Sequence, residues 1–169
     1  MGYVNLTDIS QFIPATQFSF TAGTWTPTLS TYLVSMVKSA ADEGVTAFIP
    51  ISLPASNIGL QGAKLVSIDV WYKVATAALD DFATVALHKQ NLFANAVAVT
   101  GALIDTAADT DHNLAAERLA VGDHKMTITL NNPDFLDKNK GYYLSLVMDA
   151  AATSDLTFFG AQVNFILRI

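Results

Sequence analysis

"LVSIDVWYKVATAALDDFATVALHKQ", residues 65–90, is the stretch of this chain that most clearly indicates its fold. Apolar and polar side chains alternate with a period of two over residues 64–75, which is typical of a β-strand with one face in a core. The pattern places Leu65, Ser67, Asp69, Trp71 and Lys73 opposite Val66, Ile68, Val70, Tyr72 and Val74. Residues 82–89 follow as a second strand after a turn at Asp80-Asp81, because aspartate tolerates tight turns.

The same alternation continues towards the C-terminus and predicts further strands. It runs through residues 124–130, 142–148 and 155–169. Gly160 interrupts the last of these, which predicts a bulge or a bend. A shorter candidate is residues 45–53, where Pro50 restricts the strand to a sheet edge or to a point where it leaves the sheet.

The connections between these strands contain features of their own. Residues 131–141 are rich in Asn, Pro, Asp and Gly, and they surround Phe135 and Leu136, which we expect to anchor the loop in the core. Residues 105–123 begin as an aspartate-rich loop and continue as one short helix, which Gly122 ends.

One segment, residues 28–40, fits two kinds of secondary structure. Its apolar residues follow helical spacing, with Gly44 just past the end. The segment is also rich in Ser, Thr and Val, and Tyr32, Val34 and Met36 alternate as in a strand. Helix and strand therefore both stay open here.

Many short strands with irregular connections predict an all-β fold, a β-sandwich of jelly-roll or Greek-key type with one or two short helices. A chain of 169 residues is long enough for a self-supporting core. We divide it into a sandwich domain, residues 45–169, and an N-terminal arm or extra strand and helix, residues 1–44.

Composition excludes several classes of function. Charged residues make up 14% of the chain, against about 25% in ordinary globular proteins, and the net charge is −6. Nine Lys and Arg residues cannot neutralise many phosphates, so nucleic acid is not expected as a partner. Residues 9–37 lack charge but are interspersed with Ser, Thr, Gln and Pro, so no membrane partner is expected.

Alanine is abundant, with 25 residues, although it is a poor strand former. Two interpretations stay open: the alanines fill a crowded core, or they line a flat face that packs on another subunit. The low charge density supports the second interpretation. The candidate interface residues, with Trp71 as the expected hot spot, are Trp71, Ala75, Ala83, Ala86, Ala96 and Ala98.

No catalytic or metal-binding pattern stands out, and we expect neither an enzyme nor a cofactor. The histidines His88, His112 and His124 accompany no G-x-S-x-G nucleophile motif. The Asp105–Asp111 run next to His112 has oxygen ligands close together, but its spacing does not match a calcium-binding EF-hand loop. An ordinary solvated acidic loop is the alternative. Asp134 and Asp137 are best interpreted as turn residues rather than a glycosidase pair.

The chain has enough aromatic residues to form a platform for sugar rings, if two of them are exposed on one face. Aromatic side chains of a sandwich are more often part of the core. The candidates for the platform are Trp25, Trp71, Tyr142, Tyr143, Phe158 and Phe159.

The order of segments "IPISLP", "GAKLVSIDVWYKVATAALDDF" and "GDHKMTITLNNPDFLDKNKGYYLSLVMDAAATSDLTFFGAQVNF" resembles β-sandwich virion proteins of tailed bacteriophages, namely decoration, head-fibre or tail-associated subunits. The resemblance covers residues 45–169 and lies in alanine- and threonine-rich strands with few charges. It implies a homo-oligomer, often a trimer in such proteins, that binds a capsid or tail surface. It contains no motif that assigns a site.

We therefore predict a non-enzymatic structural protein located in a phage-like virion, with other virion proteins as partners. The alternative is a carbohydrate-binding module on the same fold, with a host surface glycan as the partner.

Overall fold

Two antiparallel β-sheets form the protein in a computed structural model, which describes residues 6–52, 63–91, 99–133, 135–136 and 140–168. The strands are β1 (Leu6–Pro14), β2 (Ser19–Phe20), β3 (Trp25–Ser30), β4 (Leu33–Lys38), β5 (Glu43–Ile51), β6 (Ala63–Ala75), β7 (Asp81–Asn91), β8 (Thr100–Ile104), β9 (Thr106–Ala108), β10 (Gly122–Leu130), β11 (Lys140–Ala150) and β12 (Asp155–Arg168). The helical elements in these residues are a 3₁₀ turn at Ala15–Gln17 and α1 at Ala115–Arg118.

The strand order is that of a jelly roll. The seven-stranded sheet runs β3-β4-β12-β6-β10-β9, with β1 also paired to β12, and the five-stranded sheet runs β2-β5-β11-β7-β8. The antiparallel pairs β4–β12, β5–β11, β6–β10 and β7–β8 lie alternately in the first and the second sheet. Such nesting of hairpin-like pairs across two sheets is the jelly-roll arrangement. The predicted all-β sandwich is confirmed.

The core lies between the sheets and is built from the inward-facing half of each alternating strand. In β10 and β11 the predicted alternation is confirmed, because every second side chain is buried. Burying each such large aliphatic side chain stabilises the fold by about 1.5–3 kcal/mol. The buried residues of these two strands include Met126, Ile128, Leu130, Tyr142, Leu144, Leu146 and Met148.

Residues 65–90 contain both predicted strands, but these strands do not pair with each other. β6 belongs to the seven-stranded sheet and β7 to the five-stranded one, so residues 76–80 carry the chain from one sheet to the other. Thr76 makes this crossing with a left-handed backbone, φ 70°. Asp80 adds a backbone hydrogen bond of 2.9 Å to the carbonyl oxygen of Asp149.

The prediction of which β6 side chains point into the core is wrong at the start of the strand. Leu65 is fully buried and Val66 is not, the reverse of the expectation from strict alternation. The register against β12 shifts here, since Asn164 pairs with Ser67 while Phe165 pairs with Leu65. The extra residue on β6 forms a bulge, which reverses the inward and outward positions before it.

The predicted irregularity at Gly160 is confirmed as a bulge in β12. Phe158 pairs with Tyr72 and Gly160 pairs with Trp71, so Phe159 is the extra residue. Gly160 has φ 148°, a backbone conformation that favours glycine. A Cβ atom there would lie 2.6 Å from Cζ of Phe12.

Residues 28–40 form strands, so the helical alternative is wrong. β3 and β4 make a hairpin whose turn contains Thr31 at φ 49°. Only Met36–Lys38 of this hairpin pair with β12, at residues 156–158. The outer part of this hairpin is exposed on both faces, so neither face has to be apolar and its residues need not alternate with a period of two. The helical spacing of its apolar residues is therefore compatible with a hairpin.

The predicted connections are confirmed in part. Leu136 packs against the core and donates its backbone N–H to the Ala63 carbonyl, whereas Phe135 is 44% exposed rather than part of the core and forms an isolated β-bridge with Lys64. The short helix α1 exists, although it ends at Arg118, and Gly122 instead begins β10. Among the described residues Pro50 pairs only with β11, past the two residues of β5 that pair with β2, so β5 is an edge strand there as predicted.

The first 44 residues supply strands to both sheets: β1, β3 and β4 to one and β2 to the other. β1 pairs with β12 along its whole length, from Leu6 to Pro14. The division of the chain at residue 44 stays a prediction.

We expect Gly160→Ala to lower the free energy of unfolding by about 2–5 kcal/mol, the sum of a strained left-handed backbone and local overpacking. Urea denaturation measures this loss. Gly44→Ala is the matched control in β5, because the nearest atom to its added Cβ is 3.9 Å away. Equal stability of the two variants would contradict the role of Gly160 in the bulge.

Candidate functional site

An apolar groove of ≈ 480 Å³ opens on the outer face of the seven-stranded sheet. It is lined by Phe12 of β1, Leu33 of β4, Trp71 of β6, and Phe159 and Gln162 of β12. We call these five residues the groove. Two of its aromatic side chains, Trp71 and Phe159, are half-buried, while Phe12 is 60% exposed.

The β12 bulge brings the aromatic side chains of the groove together. Phe159 follows the buried Phe158 and lies on the outer face of the strand. Gly160 has no side chain, so the Phe12 ring can lie directly on the β12 backbone. Trp71 is the partner of Gly160 on the next strand. The glycine of the bulge therefore has the Phe12 ring against it and Trp71 beside it, next to Phe159.

A row of hydrogen-bonded polar side chains adjoins the groove on the same face. Gln162 donates to Oδ1 of Asn164 at 3.1 Å, and the Asn164 amide donates to Ser67 Oγ at 3.0 Å and to Asp69 Oδ2 at 3.4 Å. Thr127 donates to Asp69 Oδ1 at 2.6 Å. We call Gln162, Asn164, Asp69 and Thr127 the polar row. It crosses three neighbouring strands, β12, β6 and β10.

Lys125 connects the polar row to the groove. Its ammonium group lies 5.5 Å from the centre of the Trp71 ring and 3.4 Å from Asp69 Oδ2. The first contact is a cation–π interaction and the second an ion pair with a nearly buried carboxylate. Together they fix the orientation of the Trp71 ring at the edge of the groove.

Exposed apolar side chains extend from the groove along the β3–β4 hairpin. We call Leu29, Tyr32, Leu33 and Val34 the hairpin tip. Their exposed fractions are 74%, 96%, 50% and 44%. Leu33 belongs to both the hairpin tip and the groove, whereas Leu29 and Val34 are cross-strand partners on the opposite face, so the hairpin presents apolar side chains on both of its faces. An apolar surface of this kind marks an interaction site more often than chance exposure does.

The outer face of the five-stranded sheet has a smaller aromatic group. His88 stacks on Tyr143 with ring centres 4.6 Å apart, and Tyr143 meets Phe48 edge-on at 5.7 Å. His88 Nε2 lies 2.7 Å from Ser145 Oγ. Burial lowers the pKa of His88 below its ordinary value, which keeps the ring neutral.

The other two histidines lie at one end of the sandwich, beside an aspartate. His112 Nδ1 is 2.7 Å from Asp109 Oδ1, and His112 Nε2 is 3.2 Å from His124 Nδ1. The serine and the carboxylate of a catalytic triad would have to meet at one histidine. Here the serine contact belongs to His88 and the carboxylate contact to His112.

Asp109 is fully engaged by protein groups. Its carboxylate accepts hydrogen bonds from Thr127 N–H at 2.5 Å, Asp111 N–H at 3.1 Å and His112. Within the part of the chain that the structure describes, there is no cluster of three or more His, Asp or Glu side chains placed to hold a metal ion. The acidic loop of residues 105–111 therefore uses this carboxylate for its own folding.

The predicted interface residues fall in different places. Trp71 lines the groove. Ala83 is exposed, and Ala75 and Ala86 are half-buried, so these three alanines do not fill the core. Ala96 and Ala98 lie outside the described residues, as do Asp134 and Asp137. The role of the alanines in an interface stays a prediction.

The predicted aromatic platform is present in part. Trp71 and Phe159 lie on the outer face, whereas Tyr142 and Phe158 are core residues and Trp25 stacks on Phe20 with ring centres 3.7 Å apart. Sequence reasoning missed three groove residues. Phe12 lies in β1, a strand whose inward row is interrupted by Gln11, while Leu33 lay in the ambiguous segment and Gln162 carried no signal of its own.

Comparisons with known proteins give distant likenesses to solved structures. Neither family models nor curated proteins match the chain. Among solved structures, a carbohydrate-binding module, TmCBM61 in complex with β-1,4-galactotriose, aligns with a TM-score of 0.36 and 8% identity, over 96% of this chain and 88% of that one. An enzymatically active domain of tailspike protein 4 of bacteriophage CBA120 aligns with a TM-score of 0.36 and 12% identity, over 97% of this chain and 19% of that one. Likenesses this weak carry no argument about function. Among the described residues, no helix is long and apolar enough to cross a bilayer.

The Asp109 contacts predict an acid-sensitive contribution to stability. Burial raises the pKa of Asp109, but the hydrogen bonds of Thr127, His112 and Asp111 and the charge of His112 together bring it below its ordinary value. A depressed pKa means that the ionised carboxylate stabilises the fold fully at pH values above its pKa in the unfolded chain, which is about 3.9. That stability is lost as the pH falls through the folded pKa.

Asp109→Asn should therefore lower the free energy of unfolding at pH 7 by about 1.5–3 kcal/mol, the usual contribution of hydrogen bonds to a charged group. It should also flatten the decline in stability between pH 5 and pH 2, measured by urea denaturation. Asp123→Asn is the control, since this carboxylate is 76% exposed and lies 3.8 Å from Lys73 Nζ. An unchanged acid decline in Asp109→Asn would refute the assignment.

Proposed function

We propose that this chain is a non-enzymatic structural protein of a phage-like virion, a decoration, head-fibre or tail-associated subunit. It acts through contacts with other copies and with a capsid or tail surface. The observation that carries the proposal is the exposure of large apolar side chains on both faces of the hairpin tip and in the groove. The sequence resemblance of residues 45–169 to such virion proteins supplies the context.

The geometry of the hairpin supports a contact with another molecule. Beyond Met36 its two strands pair only with each other among the described residues, and an isolated two-stranded hairpin is marginally stable in water. Its tip carries Tyr32 at 96% exposure and Leu29 at 74%. A sequence whose only function was to fold would gain nothing from these side chains. A partner that covers them removes apolar area from water and fixes the hairpin.

Low charge on the surface agrees with this kind of contact. The centre of a protein interface is depleted of charged residues and enriched in aromatic ones. The groove and the hairpin tip contain no charged residue and include Phe12, Tyr32, Trp71 and Phe159. Trp71 is the expected hot spot, because it is large, half-buried and oriented by Lys125.

We expect the protein to run as a discrete oligomer of the 18.1 kDa chain in light scattering behind a sizing column, in physiological and in high salt. Salt resistance follows because the contact is apolar. Leu29→Ser and Trp71→Ala should each weaken assembly about 30-fold, as loss of an interface hot spot does.

Leu114→Ser is the matched control, because Leu114 is 61% exposed and flanks α1 rather than the hairpin. A wild-type protein that is monomeric under all conditions would refute homo-oligomeric assembly. Assembly that is equally weak in Leu29→Ser and Leu114→Ser would refute the placement of the contact.

A second candidate function is carbohydrate binding, and one specific observation favours it. Phe12 and Trp71 are two solvent-accessible aromatic residues on one face, and the polar row begins beside them at Gln162. Sugars present an apolar C–H face that packs on aromatic rings and hydroxyl groups that need hydrogen-bond partners. A groove with few, well-placed polar groups is typical of small-ligand sites.

If the groove binds a glycan, Trp71→Ala and Gln162→Ala should each reduce binding on a glycan array and in titration calorimetry, by at least about tenfold for a lost stacking or hydrogen-bond contact. Tyr143→Ala, an aromatic residue of the other sheet, is the control. Binding should survive in Leu29→Ser, where assembly is weakened. Glycan binding with the same affinity in both groove variants as in the wild type would exclude carbohydrate binding by the groove.

A further inference from the structure

The segment from Asp109 to Ala120, between β9 and β10, is closed by a chain of hydrogen bonds through two histidines. Asp109 Oδ1 meets His112 Nδ1 at 2.7 Å, and His112 Nε2 meets His124 Nδ1 at 3.2 Å. His124 Nε2 then meets the carbonyl oxygen of Ala120 at 2.8 Å. We call Asp109, His112, His124 and the Ala120 carbonyl the histidine clasp. It ties both ends of the segment to His124, on β10.

The two outer contacts of the clasp each require a proton on a histidine nitrogen. A carboxylate and a backbone carbonyl can only accept hydrogen bonds. His112 Nδ1 must therefore donate to Asp109, and His124 Nε2 must donate to Ala120. If both rings were neutral, each would donate its single N–H to its outer contact. Two nitrogen lone pairs would then face each other at 3.2 Å between His112 Nε2 and His124 Nδ1.

We propose that the two rings hold three N–H protons between them, so that the clasp contains one imidazolium charge and is closed only in that protonation state. The third proton lies in the central contact and is donated by one ring to the other. Asp109 balances the charge, since its carboxylate is in contact with His112.

The surroundings favour one positive charge and disfavour a second. Tyr72 of β6 stacks on His124 with ring centres 4.7 Å apart, and its hydroxyl donates to the Arg118 carbonyl at 2.9 Å. Burial raises the pKa of Tyr72, so this ring stays neutral. Arg118 of α1 donates to the His112 carbonyl at 2.8 Å, which places a guanidinium next to the pair. Asp109 is the carboxylate in contact with the rings, while Glu117 accepts from Leu114 N–H.

The clasp thereby affects the hydrogen bonds that connect the two sheets at this end of the sandwich. Arg118, which it holds in place through the segment, donates to the carbonyl oxygens of Phe82 and Ala83 in β7. The Leu119 carbonyl accepts from Leu79 N–H, in the crossing from β6 to β7. Loss of the third proton breaks the hydrogen bond between His112 and His124, so that the segment is no longer held against β10. A fourth proton also opens it, because two N–H groups would then oppose each other.

The consequence is a pH window for this end of the sandwich. Stability from the clasp is present while three protons are bound and is lost when the third proton leaves as the pH rises. At lower pH, the fourth proton and then the protonation of Asp109 remove it again. The segment is therefore firmest at intermediate pH.

The direct test is long-range ¹H–¹⁵N spectroscopy of the histidine rings in uniformly ¹⁵N-labelled full chain. At the pH of greatest stability we expect three protonated ring nitrogens over His112 and His124. His88, on the other sheet, serves as an internal reference. Two protonated nitrogens over the pair at every pH between 5 and 8 would overturn the proposal.

The functional readout is amide hydrogen exchange, expressed as protection factors so that the intrinsic pH effect is removed. The amides of Leu79 and Leu119 should lose protection about three- to tenfold as the third proton leaves, the change expected for one hydrogen bond. Leu87 and Leu144, paired between β7 and β11, should keep theirs.

His124→Gln separates the shared proton from a merely structural role. A glutamine amide has two N–H groups and can donate to both His112 Nε2 and the Ala120 carbonyl without any added proton. This variant should fold and show protection at Leu119 that no longer falls with rising pH. His88→Gln is the matched control and should keep the wild-type dependence. A His124→Gln profile identical to wild type would refute the proposal.

Discussion

The pairing of β12 with β6 is the constraint on which the rest of the structure depends. These two strands lie at the centre of the seven-stranded sheet, and β12 also holds β1 and β4 on its other side. Their register contains two bulges, at Phe159 and at Val66, and each bulge changes which side chains point into the core. The core and the groove are therefore set together by one pair of strands.

The two faces of this sheet carry different tasks. Its inner face contributes side chains such as Ile68, Tyr72 and Val163 that are wholly buried and stabilise the sandwich. Its outer face keeps Trp71 and Phe159 half-buried beside the polar row, where apolar area and hydrogen-bonding groups remain available to a partner. β1 contributes to both faces, because Ile13 is buried in the core while Phe12 lies against Gly160 in the groove.

The two functional proposals and the histidine clasp use separate parts of the molecule. The groove and hairpin tip lie around β1, β4 and β12, whereas the clasp lies between β9 and β10 at an end of the sandwich. The clasp joins α1 to both sheets through Arg118 and Tyr72. A charge held there affects how firmly the sheets are fastened, but it requires no contact with the groove. Binding and pH response can therefore be measured independently of each other.

The sequence by itself determined the class of fold and most of the strands, because period-two alternation is a local property. Met126–Leu130 and Tyr142–Met148 show it without interruption, and Gly160 marked its bulge through its lack of a side chain. Trp71 could be singled out as a large aromatic residue on the polar side of a strand. The low charge density pointed to a covered surface.

Tertiary structure decided what depends on contacts between distant residues. The reversal of Leu65 and Val66 follows from the register against Phe165, about a hundred residues away, which no local pattern contains. Phe12 and Trp71 line one groove only because β1 and β6 both pair with β12, and His112 meets His124 only because the loop after β9 folds back against β10. Alternation fixes which side of a strand is apolar, whereas strand order and register fix which residues meet.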